Sequence, residues 1–214
     1  MAITVVQSAQ SAGGANASSV AISAATAGNT IVSCMSQTST TTPTLSGYTI
    51  SSTKGVYNTS ADSVWIAYKI AAGGETSVAW TGGGTAHGVC AWEIAGAATS
   101  VTLDGSVVTT DNLSAATGGR SVTTSTAGSI ILIGVGHNVS SGTITAWTGT
   151  NVATNISTSA ARCFDGSFIT TSTVSSTFTA NWTNSHVAGM VAIALQPASG
   201  GGGTSGTGRF FQIF

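Results

Sequence analysis

The chain is 214 residues long, carries a formal net charge of −1, and only 5% of its residues are Asp, Glu, Lys or Arg, against about 25% in an ordinary soluble domain. Five Lys and Arg residues cannot neutralise a phosphate backbone, which excludes nucleic-acid binding driven by counterion release; a hydrophobic content of 42% with almost no net charge excludes disorder caused by charge repulsion. Roughly a third of the chain is Ser or Thr and 28 residues are Gly, so solubility rests on hydroxyls and exposed backbone, and a surface with so little charge favours association.

The N-terminal run, Met1 to Gln10, alternates like a strand. It lacks the basic start and long apolar stretch of a secretory signal, so the expectation is synthesis in the cytoplasm without a signal peptide. Helical periodicity is weak throughout. Strand patterns recur about every 8–12 residues between Gly, Asn, Ser and Asp clusters, the spacing of a sandwich or barrel. In chain order they are Ile3–Ala9, Ser18–Ser23, Asn29–Ser36, Asp62–Ile70, Thr76–Trp80, Gly88–Ile94, Ser129–Gly136, Thr143–Trp147, Arg162–Thr170, Ser175–Trp182 and Val187–Leu195. Within Asp62–Ile70, Val64, Ile66, Tyr68 and Ile70 share one face, and Trp65, Ala67 and Lys69 the other. The most apolar run, Val187–Leu195, has the length of a strand and falls well short of the ~18 residues of a membrane span; no membrane partner is expected.

The two halves echo each other at a spacing of about 100 residues. Ala27-Gly28-Asn29-Thr30-Ile31-Val32 resembles Ala127-Gly128-Ser129-Ile130-Ile131-Leu132, and Thr76–Trp80 resembles Phe178–Trp182. After each Trp comes a small-residue loop with a His, His87 or His186, and then an apolar strand. Two tandem sandwiches or one sandwich of similar halves would both give this pattern. A half alone would hold about five strands and a small core, so one domain over residues 1–197, with an approximate internal duplication, is the favoured reading. After Pro197 the composition changes: residues 198–208 are a Gly/Ser/Thr linker, and residues 209–214 read Arg-Phe-Phe-Gln-Ile-Phe.

The order of several short motifs resembles a jelly-roll-like β-sandwich domain of bacteriophage virion proteins and bacterial surface proteins. They are Ile3-Thr-Val-Val-Gln-Ser-Ala, Ala27-Gly28-Asn29-Thr-Ile-Val, Val64-Trp65-Ile66-Ala67-Tyr68, Ala71-Ala72-Gly73-Gly74, Trp92-Glu93-Ile94-Ala95-Gly96, Leu103-Asp104-Gly105 and Ala192-Ile193-Ala194-Leu195-Gln196-Pro197. The resemblance covers residues 3–197 and implies an antiparallel all-β fold with a structural or adhesive role in a virion (a capsid decoration, accessory or tail-associated protein). It supplies no catalytic residues.

Chemistry-bearing patterns are sparse. Ser is abundant, but no GxSxG elbow occurs, and His87, His137 and His186 are isolated in sequence and expected in loops or at strand ends. Asp104-Gly105 and Asp165-Gly166 read as turns. Glu93, inside an apolar strand, is expected to face solvent. Cys34, Cys90 and Cys163 form no CxxC pair; Cys34 and Cys90 are expected to be buried thiols, and no metal, cofactor or catalytic residue is assigned. Trp80 and Trp182 are expected to pack in the core, whereas Trp65 and Trp147 are the candidates for exposure and for stacking on a host glycan.

The function-bearing element is expected to be the C-terminal segment, with Arg209, Phe210, Phe211, Ile213 and Phe214 as partner-docking residues. Burying each apolar side chain contributes about 1.5–3 kcal/mol, offset by the ordering of the linker and the cost of association. The expected partners are other virion proteins: further copies of the chain, or a major capsid or tail protein. Docking in cis and in trans both remain open, and a hydrolase is the least favoured alternative to these contact roles.

Overall fold

A computed structural model describes residues 2–11, 17–58, 61–98, 108–137, 144–149, 152–159, 163–170 and 175–199. These fold as antiparallel β-strands: β1 (Thr4–Gln10), β2 (Ser19–Ala21), β3 (Thr30–Gln37), β4 (Thr49–Ile50), β5 (Gly55–Tyr57), β6 (Asp62–Ile70), β7 (Ser77–Ala79), β8 (Ala86–Ala95), β9 (Val108–Thr123), β10 (Ile130–His137), β11 (Ile144–Gly149), β12 (Val152–Ser159), β13 (Cys163–Thr170) and β14 (Ser175–Leu195). The all-β, antiparallel class expected from the sequence is what the chain adopts. Its predicted strands recur within a residue or two of these bounds, except that Ser175–Trp182 and Val187–Leu195 are one continuous strand.

The strands form two sheets, one from each half of the chain. The first has the order β1-β8-β3-β6-β4, with β5 also on β6; the second has the order β11-β14-β10-β13-β12, with β9 also on β14. Each half therefore builds its sheet around one central strand, β3 or β10, flanked by the half's last strand and its middle strand. The repetition extends to the turns. Gly28 and Gly128 both take positive φ, at 85° and 81°, a region open to glycine at little cost. The Gly28 amide donates to Ala71 O and the Gly128 amide to Thr170 O, at 3.0 and 3.1 Å. The short β2–β7 ribbon pairs Ser19 with Ala79 and Ala21 with Ser77; β9 and β14 pair Gly119 with Thr179 and Ser121 with Thr177.

The two sheets face each other across a shared core. Val32, Cys34, Val64, Ile66, Cys90, Trp92 and Ile94 of the first meet Ile130, Leu132, Val191, Ile193 and Leu195 of the second. β3 packs on β10, β6 on β14 and β8 on β13. Because β6 corresponds to β13 and β8 to β14, this set of contacts maps onto itself when the halves are exchanged, which defines an approximate two-fold axis between β3 and β10. A residue near such an axis meets its own counterpart. Cys34 lies against Gly134: a methyl group placed on Gly134 would come to 2.7 Å from Cys34 Cβ and closer still to the sulfur. One large and one small residue fill a gap that two large ones would overfill.

A second apolar layer covers the outer face of the first sheet. Ile31, Met35, Trp65, Ala67, Val89 and Ala91 pack beneath Val20, Leu45, Val78 and Trp80. This is why β3 is buried at every position: a strand covered on both faces loses the in-out alternation of a one-sided sheet. The two faces predicted for β6 are the ones observed, with Val64 and Ile66 in the intersheet core and Trp65 and Ala67 in the outer layer.

Adding a methyl group at the axis should disturb this packing. Gly134→Ala is expected to destabilise the chain by about 1–3 kcal/mol, and by clearly less in a Cys34→Gly background, as read by urea denaturation. Equal costs in both backgrounds would contradict the axial contact.

Candidate functional site

Three groups of polar side chains in the first half have interlinked partners, two buried and one at the surface. The most connected is centred on Glu93. The sequence pattern expects this residue to face solvent; instead it is 1% exposed. It projects from β8 on the face opposite the intersheet core, where the loop between β2 and β3 closes over it. Its carboxylate accepts hydrogen bonds from Gln7 Nε2 at 2.6 Å, the Thr26 amide at 2.8 Å and Asn29 Nδ2 at 2.5 Å. Gln7 in turn accepts from the Ser23 amide and donates to Ser23 O. Burial by itself raises the Glu93 pKa, but the donors from Gln7, Thr26 and Asn29 together outweigh it and hold the carboxyl below its ordinary value of 4.5. One anion thus ties β1, β8 and the loop to each other. No sequence motif announces this, because its donors lie 64 to 86 residues away.

The second group is a chain of hydroxyl, phenol and imidazole between the sheets. Tyr57 Oη is 3.2 Å from Ser36 Oγ and 3.2 Å from His87 Nδ1. His87 lies at the start of β8 and His137 at the end of β10, strand-end positions as expected, and both are buried. Ser36 and Tyr57 are fully enclosed, so the chain joins β3, β5 and β8 rather than facing a cleft. The side chain of His186 lies outside the described residues, so a shared site with His87 is not formed among them. No group of three His, Cys, Asp or Glu comes together among the described residues.

The third group is at the surface. Lys69 and Glu75 pair at 2.7 Å, and Lys69 Nζ lies 5.0 Å from the centre of the Tyr48 ring. The Lys69 ammonium and the amides of Ala72 and Gly73 hold Glu75 down at about 2, against the opposing effect of burial. Tyr48 is pushed up to about 12, by burial first and then by the Glu75 charge. Beside this group, Gly47, Thr49, Tyr68, Lys69 and Ile70 line an open depression of about 380 Å³.

The tryptophans divide differently from expectation. Trp65 is 2% exposed, which corrects its assignment as a glycan contact. Its indole donates to Ser63 Oγ at 2.8 Å and the Lys54 ammonium lies over its ring, so no ring face is left for a sugar. Trp80 is buried as expected, its indole donating to Ser33 Oγ at 3.0 Å. The Trp147 and Trp182 side chains lie outside the described residues, as do Asp104 and the docking segment Arg209, Phe210, Phe211, Ile213 and Phe214. Cys34 and Cys90 are buried, as expected, directly opposite each other on β3 and β8.

β1 forms one edge of the first sheet among the described residues. β1 is hydrogen-bonded along one side only among the described residues, to β8. Its sequence, TVVQSAQ, contains neither charge nor proline, the usual deterrents to edge pairing. A bulge between Val5 and Gln7 leaves Val6 51% exposed, the large hydrophobic most open to solvent among the described residues. No helix of the described residues is long and apolar enough to cross a membrane. Comparisons with known protein families, with curated proteins and with solved structures find no match to this chain.

Both carboxylates titrate below their ordinary range, so their stabilisation is complete above about pH 5 and is lost as pH falls through the folded pKa values. The melting temperature should therefore drop between pH 5 and pH 2. Glu93→Gln should lower stability by about 1–3 kcal/mol at pH 7 and flatten the acid dependence of the melting temperature. A variant with the wild-type acid profile would contradict the role given to Glu93.

Proposed function

We propose that this chain is a structural protein of a bacteriophage virion, a capsid decoration or tail-associated component that works by protein–protein contacts and performs no catalysis. The observation that carries this reading is the β1 edge: an uncharged strand with an exposed valine, on a molecule whose sequence holds only eleven charged residues, five basic and six acidic. Such a surface gives neighbouring copies little to repel. The polar chemistry supports the same reading. Glu93 fastens β1 and the loop before β3 to β8, and Ser36, Tyr57 and His87 link β3, β5 and β8, so both groups serve the first sheet's own structure.

On this reading the partners are virion proteins, either further copies of the chain or a major capsid or tail protein, and the chain resides in the particle. The Ser and Thr content suits close interfaces wetted by water. The apolar segment 209–214 acts as the docking arm, set off from the sandwich by the Gly/Ser/Thr-rich residues 198–208. Many weak arm contacts acting together give a particle useful avidity.

The depression beside Tyr68 favours a second reading, a host-glycan-binding module. Tyr68 offers an aromatic surface and Thr49 and Lys69 offer polar atoms, the composition of a shallow sugar site. A glycan array separates the two: saccharide binding abolished by Tyr68→Ala would favour the second reading.

Deleting residues 209–214 should lower the number of copies retained on purified particles by tenfold or more, measured by quantitative immunoblotting against a capsid standard. Normal incorporation would contradict the arm's role.

A further inference from the structure

The backbone of β1 alternates between a bonded side and an open one. Gln10 stands opposite Cys90, so Ser11 stands opposite Val89, and the Ser11 amide donates to Val89 O at 2.8 Å. In an antiparallel ladder such bonded residues recur at every second position. Ser11, Ala9 and Gln7 therefore direct their backbone N–H and C=O groups at β8, and Gln10 and Ser8 direct theirs away from it. The far side of β8 agrees. Ser33 Oγ donates to Cys90 O at 2.8 Å, so the carbonyl opposite Gln10 points to β3. Among the described residues nothing pairs with the outward backbone groups of Ser8 and Gln10.

This open stretch is held at both ends. Gln7 Nε2 donates to Glu93 and to Ser23 O, and the Val89 amide donates to Ser11 Oγ at 3.1 Å. Gln7–Gln10 is thus ordered before any partner arrives, which lowers the cost of association. The bulge between Val5 and Gln7 interrupts the regular alternation at one end, and β1 stops at Gln10 at the other.

An extended, uncharged, antiparallel strand fits this edge, and a second copy brings one. No Asp, Glu, Lys or Arg precedes Lys54 in the chain, so two β1 edges meet without like charges. The opposite edge of the sheet is built differently. It consists of β4 and β5, two and three residues long, with Lys54 next to β5 and the Lys69–Glu75 pair near β4. Short strands and lysines blunt an edge against pairing, and β1 has neither.

We propose that two copies of the chain join through their β1 edges, antiparallel about a two-fold axis at Ala9, so that their first sheets become one continuous sheet. This rests on the contact-protein reading above and names its first partner, another copy of the chain. The register follows from the alternation. With the axis at Ala9, Ser8 of each copy stands opposite Gln10 of the other, and each such pair exchanges both backbone bonds. An axis at Ser8 would set the bulge opposite Gln10, and an axis at Gln10 would set Ser8 opposite residue 12, beyond the strand. Ala9 then meets Ala9 as a non-hydrogen-bonded pair, with Cα atoms about 4.5 Å apart, where a small side chain avoids crowding. The pairing uses up one edge in each copy, so the contact closes at two copies instead of propagating.

The test uses full-length chains. Light scattering at the highest soluble concentration should give a wild-type mass twice the 20.9 kDa of one chain. Ser8→Pro removes an outward N–H and spares the donors to β8, so it should halve that mass while the far-ultraviolet circular dichroism of the sheets is kept. Ala9→Cys is oxidised mildly and digested, with wild-type chain as the blank for the native cysteines. The expected product is a disulfide joining residue 9 to residue 9, since a non-hydrogen-bonded pair lies within disulfide reach. A link of one position to itself can only join two chains. A monomeric wild type overturns the pairing, as does a folded Ser8→Pro chain that stays dimeric. Should Ser8→Pro fail to fold, the cross-link decides: a dimer whose Ala9→Cys form gives no such link overturns the pairing as well. Detection of the chain on particles is a separate measurement, so the pairing can fail while the virion reading stands, and the reverse.

Discussion

The contact of β3 with β10 is the constraint on which the rest of the molecule depends. Each half of the chain makes one sheet, and among the described residues the inner face of each is covered by the other. The halves must therefore be buried against each other, and the approximate two-fold axis brings corresponding residues together at the centre. Cys34 against Gly134 meets that demand through a difference in volume. The intersheet contact covers one face of each central strand, and for β3 the outer apolar layer covers the other, so both strands are buried along their length.

The polar side chains follow from that architecture. With few charges to spend, the chain uses one buried carboxylate to fasten a loop and an edge strand to the sheet. It uses a Ser–Tyr–His chain to bridge three strands across the interior. Charge-assisted hydrogen bonds of this kind are individually strong, and the cost of leaving them unmade is larger than the gain from making them. Toward solvent the described residues present the Lys69–Glu75 pair, hydroxyls and the exposed Val6, and the contact reading proposed above places its weight on β1 and the C-terminal arm.

Much of this was legible in the sequence, for identifiable reasons. β6 was readable to its ends because Asp62–Ile70 alternates between two apolar faces. The Ala-Gly-Asn and Ala-Gly-Ser turns disclosed the duplication because a positive-φ glycine before a β-branched run is a local signal. β9 and β12 were not readable: Val108–Thr123 and Val152–Ser159 are rich in Ser, Thr, Gly and Asn, and they are strands because β14 and β13 offer them partners. β4 and β5 are too short to carry a period. Trp65 and Glu93 were misplaced for one reason. Both lie on the outer face of the first sheet, and the ribbon and loops that cover that face come from elsewhere in the chain. The cover, not the strand, decides their burial.

On the proposed reading this chain is a repeated part of a larger particle. Isotope-dilution mass spectrometry of particles taken through successive density gradients tests it most directly. The account predicts a fixed number of copies per particle, constant from one gradient to the next. A chain found only in the soluble fraction, or one whose ratio to the particle falls with every gradient, would contradict it.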